Sequence, residues 1–304
     1  MTKKTAMITI AGRPNVGKSS LTNRLTGDKV AIVTPKPQTT RNRIYGVFNQ
    51  GDTQMILLDT PGFHKARTRL GDYMVGVVKE SVADADAVAL LAEPIDNIGV
   101  QEELLIDHIC GSGIPAVLVI NKIDTIKAEL LLPIIERYSK RYNFDAIVPI
   151  SAKNGDGIPE LLEVFETFAR EGPQLFPDGM TTDQPEKQII AEIIREKLLI
   201  CLESEVPHGT AVEITKFSER GEEETADKDD KVIIDIDATI YCEKKSHKGM
   251  IIGKNGEMLK RIGQMAREDI ETFMGAKVFL QTWVKVKENW RDSQVMIKNF
   301  GYVK

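Results

Sequence analysis

The stretch GRPNVGKS, residues 12–19, follows the apolar run AMITIA and precedes the segment SLTNRL. Its Gly-x4-Gly-Lys-Ser spacing is typical of a loop between a strand and a helix that binds phosphate. Glycines let successive backbone N–H groups point at phosphate oxygens, and the following helix N-terminus adds positive potential. Lys18 would then reach the β- and γ-phosphates, and the Ser19 hydroxyl would bind Mg²⁺. The spacing predicts a nucleotide-phosphate site, with a plain glycine turn as the alternative, and specifies neither base nor reaction.

Length and composition indicate a globular protein of two domains. The 304 residues exceed the roughly 100–200 of one domain, and 42% hydrophobic with 28% charged residues is ordinary. No apolar run approaches the roughly 20 residues that span a bilayer. The three cysteines are dispersed and odd in number, which favours a reducing compartment and a cytoplasmic location. The N-terminal MTKKTAMITI runs straight into the phosphate loop, so we interpret it as a strand and not as a signal peptide.

Charge is unevenly distributed along the chain. The formal net charge of −5 argues weakly against a polyanionic partner. Residues 219–230 carry seven acidic and two basic residues, whereas residues 244–304 carry thirteen Lys and Arg against six Asp and Glu. A basic lobe beside an acidic loop is compatible with a nucleic-acid-binding surface on a chain whose net charge is negative. The ordinary alternative is a charged face that is only solvated.

Residues 1–170 predict an α/β domain. Six short apolar runs predict strands, namely AMITIAG, IYGVFNQ, TQMILLDT, DAVALLA, IPAVLVIN and FDAIVPISA. NQGD predicts a hairpin turn between the second and third strands. Helical stretches fill most other gaps, which predicts a mostly parallel sheet with helices on both faces and ligands at the strand ends.

A linker and a smaller domain follow. Residues 171–186 hold three prolines and two glycines, a linker composition. Residues 187–304 then show the order α-β-β-α-α-β, which predicts a small α+β domain with a C-terminal tail.

Three further motifs lie at predicted strand ends. In DTPG, residues 59–62, Asp59 can hold Mg²⁺ through a water and the Gly62 N–H can sense a γ-phosphate, although Pro-Gly is also a common turn. In NKID, residues 121–124, the Asp124 carboxylate can accept from guanine N1–H and N2–H₂, whereas adenine would leave this buried group unpaired. The Lys122 stem can lie along the base. SAK, residues 151–153, offers a backbone N–H toward guanine O6. Together these motifs predict a site specific for guanine nucleotides, and NKID argues against the alternative that the protein is a metabolic kinase.

The order GRPNVGKS, DTPG, NKID and SAK resembles the G1, G3, G4 and G5 boxes of translation-factor-related GTPases. PKPQTTRNR, residues 35–43, is similar to the G2 box, with Thr40 as the switch threonine that binds Mg²⁺ and Thr39 as the competing assignment. The resemblance implies GTP, GDP and Mg²⁺ as ligands and GTP hydrolysis as the activity. It implies metal ligation by Ser19, Thr40 and Asp59, and catalytic contacts from Lys18, Thr40 and Gly62. The nucleotide-binding residues that it implies are Gly12, Arg13, Pro14, Asn15, Val16, Gly17, Lys18, Ser19, Asp59, Thr60, Pro61, Gly62, Phe63, Asn121, Lys122, Asp124, Ser151, Ala152 and Lys153.

Three positions bear on the hydrolysis rate. Many GTPases orient the attacking water with a Gln after the DxxG box, but Phe63 stands there. His64 is a candidate base, although a loop histidine is more often without a catalytic role. Asn15 resembles the asparagine that holds a K⁺ ion in related GTPases. We therefore expect slow intrinsic hydrolysis that is faster in K⁺ than in Na⁺.

The second domain contains a G-x-x-G loop between two predicted helices. Such a loop lets the backbone approach a nucleic-acid phosphate closely, although Asn-Gly is also a common turn pair. The region resembles a type II KH domain, which binds about four single-stranded nucleotides. The RNA-binding residues implied are Gly253, Lys254, Asn255 and Gly256. Trp290 can stack on a base or pack in the core, and we favour the core.

One GTPase domain, a short linker and a KH domain resemble the Era family of bacterial GTPases over essentially the whole chain. The resemblance implies an assembly factor for the small ribosomal subunit that binds the 3′ end of its rRNA and associates peripherally with the membrane. We expect a monomer. The acidic insert 219–230 departs from the family pattern. The alternative is a membrane-associated regulatory GTPase whose basic lobe binds lipid or protein.

Overall fold

A computed structural model describes residues 3–220 and 233–302. The chain divides into two compact units, and the division falls between Asp183 and Gln184, inside the segment predicted as a linker. Most of the acidic insert lies outside the described residues. No helix within the described ranges is both long and apolar enough to cross a membrane.

The first unit alternates strands and helices, and its first six strands coincide with the six apolar runs of the sequence. The elements are β1 (Lys4–Gly12), α1 (Lys18–Thr26), β2 (Ile44–Gln50), β3 (Thr53–Asp59), α2 (Arg69–Ala83), β4 (Ala87–Ala92), α3 (Val100–Ser112), β5 (Ala116–Ile120), α4 (Leu131–Arg141), β6 (Ala146–Pro149), α5 (Ile158–Glu166) and β7 (Arg170–Glu171).

The sheet has the order β2-β3-β1-β4-β5-β6, and β1, β3, β4, β5 and β6 are parallel. The β2–β3 hairpin turns at the predicted NQGD, with β2 antiparallel to β3. One face packs against α1 and α5, and the other against α2, α3 and α4. The predicted α/β fold is confirmed. The parallel arrangement brings the carboxyl ends of β1, β3, β5 and β6, and hence the motifs that follow them, to one edge of the sheet.

Part of the predicted linker belongs to the first unit. Arg170–Glu171 forms β7 and pairs antiparallel with β1. The fully buried Gln54 accepts from the backbone N–H groups of Leu175 and Phe176 at 2.8 and 3.0 Å and donates to Phe176 O at 2.9 Å. Since these backbone groups are satisfied by a buried side chain, residues 171–183 lie against the sheet despite their proline content.

The second unit has the predicted α-β-β-α-α-β order and one further short helix at its end. The elements are α6 (Glu186–Cys201), β8 (Ala211–Glu219), β9 (Ile233–Cys242), α7 (Lys245–Ile252), α8 (Glu257–Met274), β10 (Lys277–Val286) and α9 (Gln294–Asn299). The sheet order is β10-β9-β8, with β9 parallel to β10 and antiparallel to β8. Apolar residues of α6 and α8 pack against β9 in one core. The predicted α+β domain is confirmed.

Trp290 is buried in the interior of the second unit, as favoured from the sequence. Its side chain is fully buried, and its Nε1–H donates to Gly209 O at 2.8 Å. The rings of Phe300 and Tyr302 pack against it, with centroids at 5.2 and 6.3 Å. The C-terminal segment is therefore anchored by one aromatic cluster.

Candidate functional site

The loop between β1 and α1 has the backbone that a phosphate site requires. Gly17 precedes α1 with φ 98°, and a Cβ there would lie 2.2 Å from Asn121 Nδ2. No side chain fits, because this position needs both left-handed backbone and direct contact with the NKID segment. Lys18 Nζ donates to Arg13 O at 3.0 Å and to Gly12 O at 3.3 Å, so the ammonium lies inside the loop.

Two buried charges define the phosphate end of the site. Burial lowers the pKa of Lys18 to about 8, although the Asp59 carboxylate acts in the opposite direction. Burial likewise raises the pKa of Asp59 to about 6, opposed first by Lys18. Each group is thus less stable in its charged form than in water, and each would be stabilised by a ligand of opposite charge. A triphosphate suits Lys18, and a cation suits Asp59.

Three oxygen ligands meet beside the loop. Ser19 Oγ donates to Asp59 Oδ2 at 2.7 Å and lies 2.8 Å from Thr40 Oγ1. Asp59 Oδ1 is buried and has no hydrogen-bond partner among the residues that the structure describes. Hydroxyl and carboxylate oxygens are the ligands that Mg²⁺ prefers, so these residues fit the ion. Thr39 takes a different position, since its Oγ1 donates to Lys36 O at 2.7 Å and lies 2.8 Å from Thr34 Oγ1. This arrangement supports Thr40 over Thr39.

The DTPG segment contacts the phosphate loop through its backbone. Phe63 N–H donates to Gly12 O at 3.0 Å, and a Cβ on Gly62 would lie 2.7 Å from Pro14 Cα. The Phe63 side chain packs in the core on the α2–α3 face of the sheet, which leaves it unable to orient a water. His64 Nδ1 lies 2.8 Å from Gly62 O, so this ring nitrogen is held within its own loop. Thr60 Oγ1 donates to Ile10 O at 2.8 Å and fixes the strand end.

Asn121 joins the three loops that surround the base position. Its Nδ2 donates to Val16 O at 2.8 Å, and its Oδ1 accepts from Ala152 N–H at 2.9 Å. Asp124 accepts from Ser151 Oγ at 2.8 Å. The sequence argument treated Asp124 as buried, whereas the structure leaves it exposed. An exposed carboxylate with one oriented oxygen is available to donors on a purine edge.

Several residues of the site carry no motif signal. Arg24 of α1 donates from Nε to Ala152 O and from Nη2 to Lys153 O, each at 2.8 Å, and so holds the SAK loop. Glu93, directly after β4, pairs with Lys122. Residues 32–34 line the cavity that contains the loop. This cavity has a volume of about 500 Å³ and is lined by Pro14, Asn15, Gly17, Lys18, Ser19, Ser20, Ile32, Val33, Thr34, Pro35, Gln38, Thr39, Thr40, Gly62 and Lys122.

Asn15 connects the phosphate loop to the segment that carries Thr40. Its Nδ2 donates to Pro35 O at 2.7 Å, and its backbone has φ 68°, unusual for a residue other than glycine. Lys122 Nζ donates to Asn15 O at 2.7 Å. Asn15 therefore lies between the predicted switch segment and the base motif.

The GKNG loop of the second unit is a tight turn between α7 and α8. Gly253 has φ 74°, and a Cβ there would lie 2.6 Å from Met258 Cβ. Gly256 is the N-cap of α8 and no side chain caps this end, although the N–H groups of Gly256 and Glu257 donate to Gly253 O and Lys254 O. Lys254 and Asn255 between them are exposed. The neighbouring exposed cations on α7, α8 and the residue before α7 are Lys244, Lys245, Lys260 and Arg261. The N-terminus of α8 and the exposed Lys254 thus lie together at one loop.

Comparison with known proteins adds independent evidence. Residues 7–122 match a family described as 50S ribosome-binding GTPase, and residues 205–291 match the KH domain. The chain is 49% identical over 302 residues to GTPase Era of Ruminiclostridium cellulolyticum, covering 99% of this chain and 98% of that protein. It is 48% identical over 302 residues to GTPase Era of Alkaliphilus oremlandii, covering 99% of this chain and 100% of that protein.

Solved structures give the same result. A crystal structure of Era in complex with MgGDPNP and nucleotides 1506–1542 of 16S ribosomal RNA matches with a TM-score of 0.93 at 37% identity, covering 99% of this chain and 100% of that one. An Aquifex aeolicus Era variant bound to GDP·AlF4⁻ matches with a TM-score of 0.92 and the same identity and coverage.

Proposed function

The chain belongs to the GTPase Era family, and from this premise we propose that it is a GTP-switched factor that binds the 3′ end of small-subunit rRNA during assembly of the 30S subunit. It is a GTPase that uses GTP, GDP and Mg²⁺ and carries a KH domain. The rRNA partner is supported by the related Era crystallised with a 16S rRNA fragment.

The observation that carries the RNA proposal is the exposed GKNG loop. Lys254 and Asn255 project from a turn in which Gly253 allows no side chain, at the N-terminus of α8. Such a turn presents backbone N–H groups and a cation to a phosphate without an obstructing side chain. We assign residues 253–256 as the clamp on a single-stranded RNA backbone.

GTP hydrolysis is assigned to the site at the strand ends of the first unit. Lys18 would neutralise the β- and γ-phosphates, and the Gly62 N–H would meet the γ-phosphate. Ser19, Thr40 and Asp59 would hold Mg²⁺, which neutralises the charge that develops on the phosphate oxygens. Guanine would be recognised by Asp124, and the Ala152 N–H, which donates to Asn121 Oδ1 at 2.9 Å, would be shared with guanine O6. Because Phe63 cannot orient the attacking water, intrinsic turnover is expected to be slow.

A K⁺ ion beside Asn15 is part of the proposal. A monovalent cation at this position would place positive charge where an arginine finger acts in other GTPases. The Asn15 side chain already joins the phosphate loop to Pro35, so a cation there would also draw the switch segment toward the phosphates.

The switch is proposed to act through Thr40 and Gly62. Both residues would gain contacts only when a γ-phosphate is present, and ordered segments on the first unit would then alter the RNA affinity of the second. Cytoplasmic location, peripheral membrane association and a monomeric state stay predictions. Lipid binding by the basic lobe is the competing reading of residues 244–304.

The deciding experiment measures RNA binding by Lys254→Asp/Asn255→Asp. Its matched control is Lys298→Asp/Asn299→Asp, which makes the same two changes at exposed positions at the end of α9. The probe is a fluorescent RNA with the 3′-terminal sequence of small-subunit rRNA, tested with a GTP analogue and with GDP. The loop variant should lose at least about tenfold in affinity through phosphate repulsion, and the control should change little.

Three results would contradict the proposal. Equal RNA affinity in the loop variant and the wild type would refute the clamp. Equal RNA affinity with the GTP analogue and GDP would refute the switch. Binding to vesicles of anionic phospholipid without binding to RNA would favour the membrane-associated alternative.

A further inference from the structure

Glu93 lies at a junction between the phosphate loop and the base motif. It follows β4 directly, and its side chain is 27% exposed. Lys122 of NKID donates to its Oε1, and Arg13 of the phosphate loop lies 3.7 Å from its Oε2. One partly buried carboxylate therefore pairs with cations from two motifs that are more than 100 positions apart in the sequence.

The ammonium of Lys122 is held between Glu93 and the phosphate loop. Nζ also donates to Asn15 O at 2.7 Å, and the Lys122 backbone has φ 67°, a strained value for a lysine. A lysine side chain is flexible, so the contacts that hold its ammonium at one position must offset the rotamer freedom that it loses. The ion pair with Glu93 stabilises Lys122 in contact with Asn15 O in the absence of nucleotide.

Arg13 is held by the same group of charges. Its Nε lies 3.5 Å from Glu102 Oε2, and the Glu102 side chain is fully buried in α3. Glu102 Oε2 also accepts from Gly99 N–H at 3.4 Å and so caps the helix. The Arg13 guanidinium therefore lies between two carboxylates, and its charge is compensated within the protein. The contacts of Arg13 with both carboxylates are charge contacts and not hydrogen bonds, because Nε and Nη2 have no hydrogen-bond partner among the described residues.

We propose that Glu93 is a positioning residue for nucleotide binding, because it restrains Lys122 and Arg13 and thereby fixes the phosphate loop against the base motif in the empty site. The inference rests on the proposed assignment of the GTP site. A preorganised site binds more tightly because less ordering is left to occur on binding. Since Glu93 contacts neither Mg²⁺ ligands nor Lys18, its removal should weaken binding while leaving the chemical step largely intact.

The test separates binding from turnover in the full-length chain. Glu93→Ala and Glu93→Gln are compared with Glu163→Gln, which neutralises an exposed carboxylate on α5. Affinities for fluorescent GDP and GTP analogues are measured directly, and kcat is measured at saturating GTP. Glu93→Ala should raise Kd about tenfold, mainly through faster release, with kcat within about threefold of wild type. The Kd of Glu93→Gln should lie between those of the wild type and Glu93→Ala, and the Kd of Glu163→Gln should equal that of the wild type.

A double-mutant cycle with Lys122→Ala gives a readout that a purely structural role would not produce. The Arg13 contact, at 3.7 Å, is the longer of the two, so Glu93 should act mainly through Lys122. Adding Glu93→Ala to Lys122→Ala should then change Kd by less than about twofold. Unchanged Kd in Glu93→Ala, a loss confined to kcat, or additive losses in the double variant would overturn the inference. Failure of the wild type to bind guanine nucleotide would instead refute the site assignment itself. Thermal melting identifies any variant that does not fold. If Glu93→Ala does not fold, the Kd of Glu93→Gln decides whether the inference holds.

Discussion

Ser19 and Asp59 are 40 positions apart in the sequence, yet the Ser19 hydroxyl donates to Asp59 Oδ2 over 2.7 Å. The first follows the phosphate loop, and the second ends β3. Thr40 Oγ1 joins them from the segment between α1 and β2, 2.8 Å from Ser19 Oγ. Three separate elements thus contribute one oxygen each to a single small site, and the site depends on Thr40 staying in place.

The two neighbouring threonines provide a matched pair of variants. Thr40→Ala should lower kcat for GTP by about 10- to 100-fold, because it removes an oxygen proposed to bind Mg²⁺ and its contact with Ser19. Thr39→Ala should stay within about threefold of wild type, since its hydroxyl contacts Thr34 and Lys36 O instead. Single-turnover hydrolysis at saturating Mg²⁺ measures both. A larger loss in Thr39→Ala would reverse the assignment.

Replacing Asp124 should change the base that is recognised. Guanine offers two donors to this carboxylate, whereas xanthine carries an oxygen at the position of the 2-amino group. Asp124→Asn places an amide donor there, so affinity for GTP should fall by about 100-fold or more while xanthosine triphosphate binds better. Calorimetry with GTP, xanthosine triphosphate and ATP measures the change.

The control for this prediction is Asp52→Asn, which removes an exposed carboxylate at the β2–β3 turn. It should leave all three affinities at their wild-type values. If Asp124→Asn binds GTP as tightly as wild type, the base is recognised elsewhere.

The sequence correctly predicted those features of the fold that depend on local sequence patterns. Strands, the hairpin turn and the order of both domains follow from apolar periodicity, and the G-x-x-G turn follows from residues that tolerate positive φ. The motif residues Asn121 and Ala152 were placed at the site because each follows a parallel strand, and such strands end at one edge.

Other parts of the site depend on contacts between distant residues. Arg24 and Glu93 carry no motif, because their roles require partners more than 25 positions away that only the folded chain brings near. Residues 171–183 have the composition of a linker, yet distant residues hold them to the sheet. The buried Gln54 accepts from Leu175 and Phe176, and Val47 N–H donates to Thr181 O. Periodicity contains no information on either kind of contact.

Asn15 provides the test for monovalent-cation dependence. We expect GTP turnover to be faster in KCl than in NaCl at equal ionic strength, because the smaller Na⁺ fits the same oxygen ligands less well. Asn15→Ala should bring the two rates to within about twofold of each other by removing a ligand near the phosphates. Turnover of the wild type and of the variant is measured in both salts. Equal rates for the wild type in the two salts would exclude a K⁺ site.

Trp290 provides a test of how the C-terminal segment stabilises the KH unit. The chain has two tryptophans, and both belong to this unit, so the exposed Trp283 still reports its unfolding after Trp290 is replaced. Trp290→Ala should lower the free energy of unfolding by about 3–5 kcal/mol through the cavity it creates. Trp290→Phe should cost about 1–3 kcal/mol, because Gly209 O loses its buried donor. Urea unfolding followed by fluorescence measures both, while affinity for GTP in the first unit should be unchanged. Equal midpoints for the three proteins would mean that the aromatic cluster contributes nothing to stability.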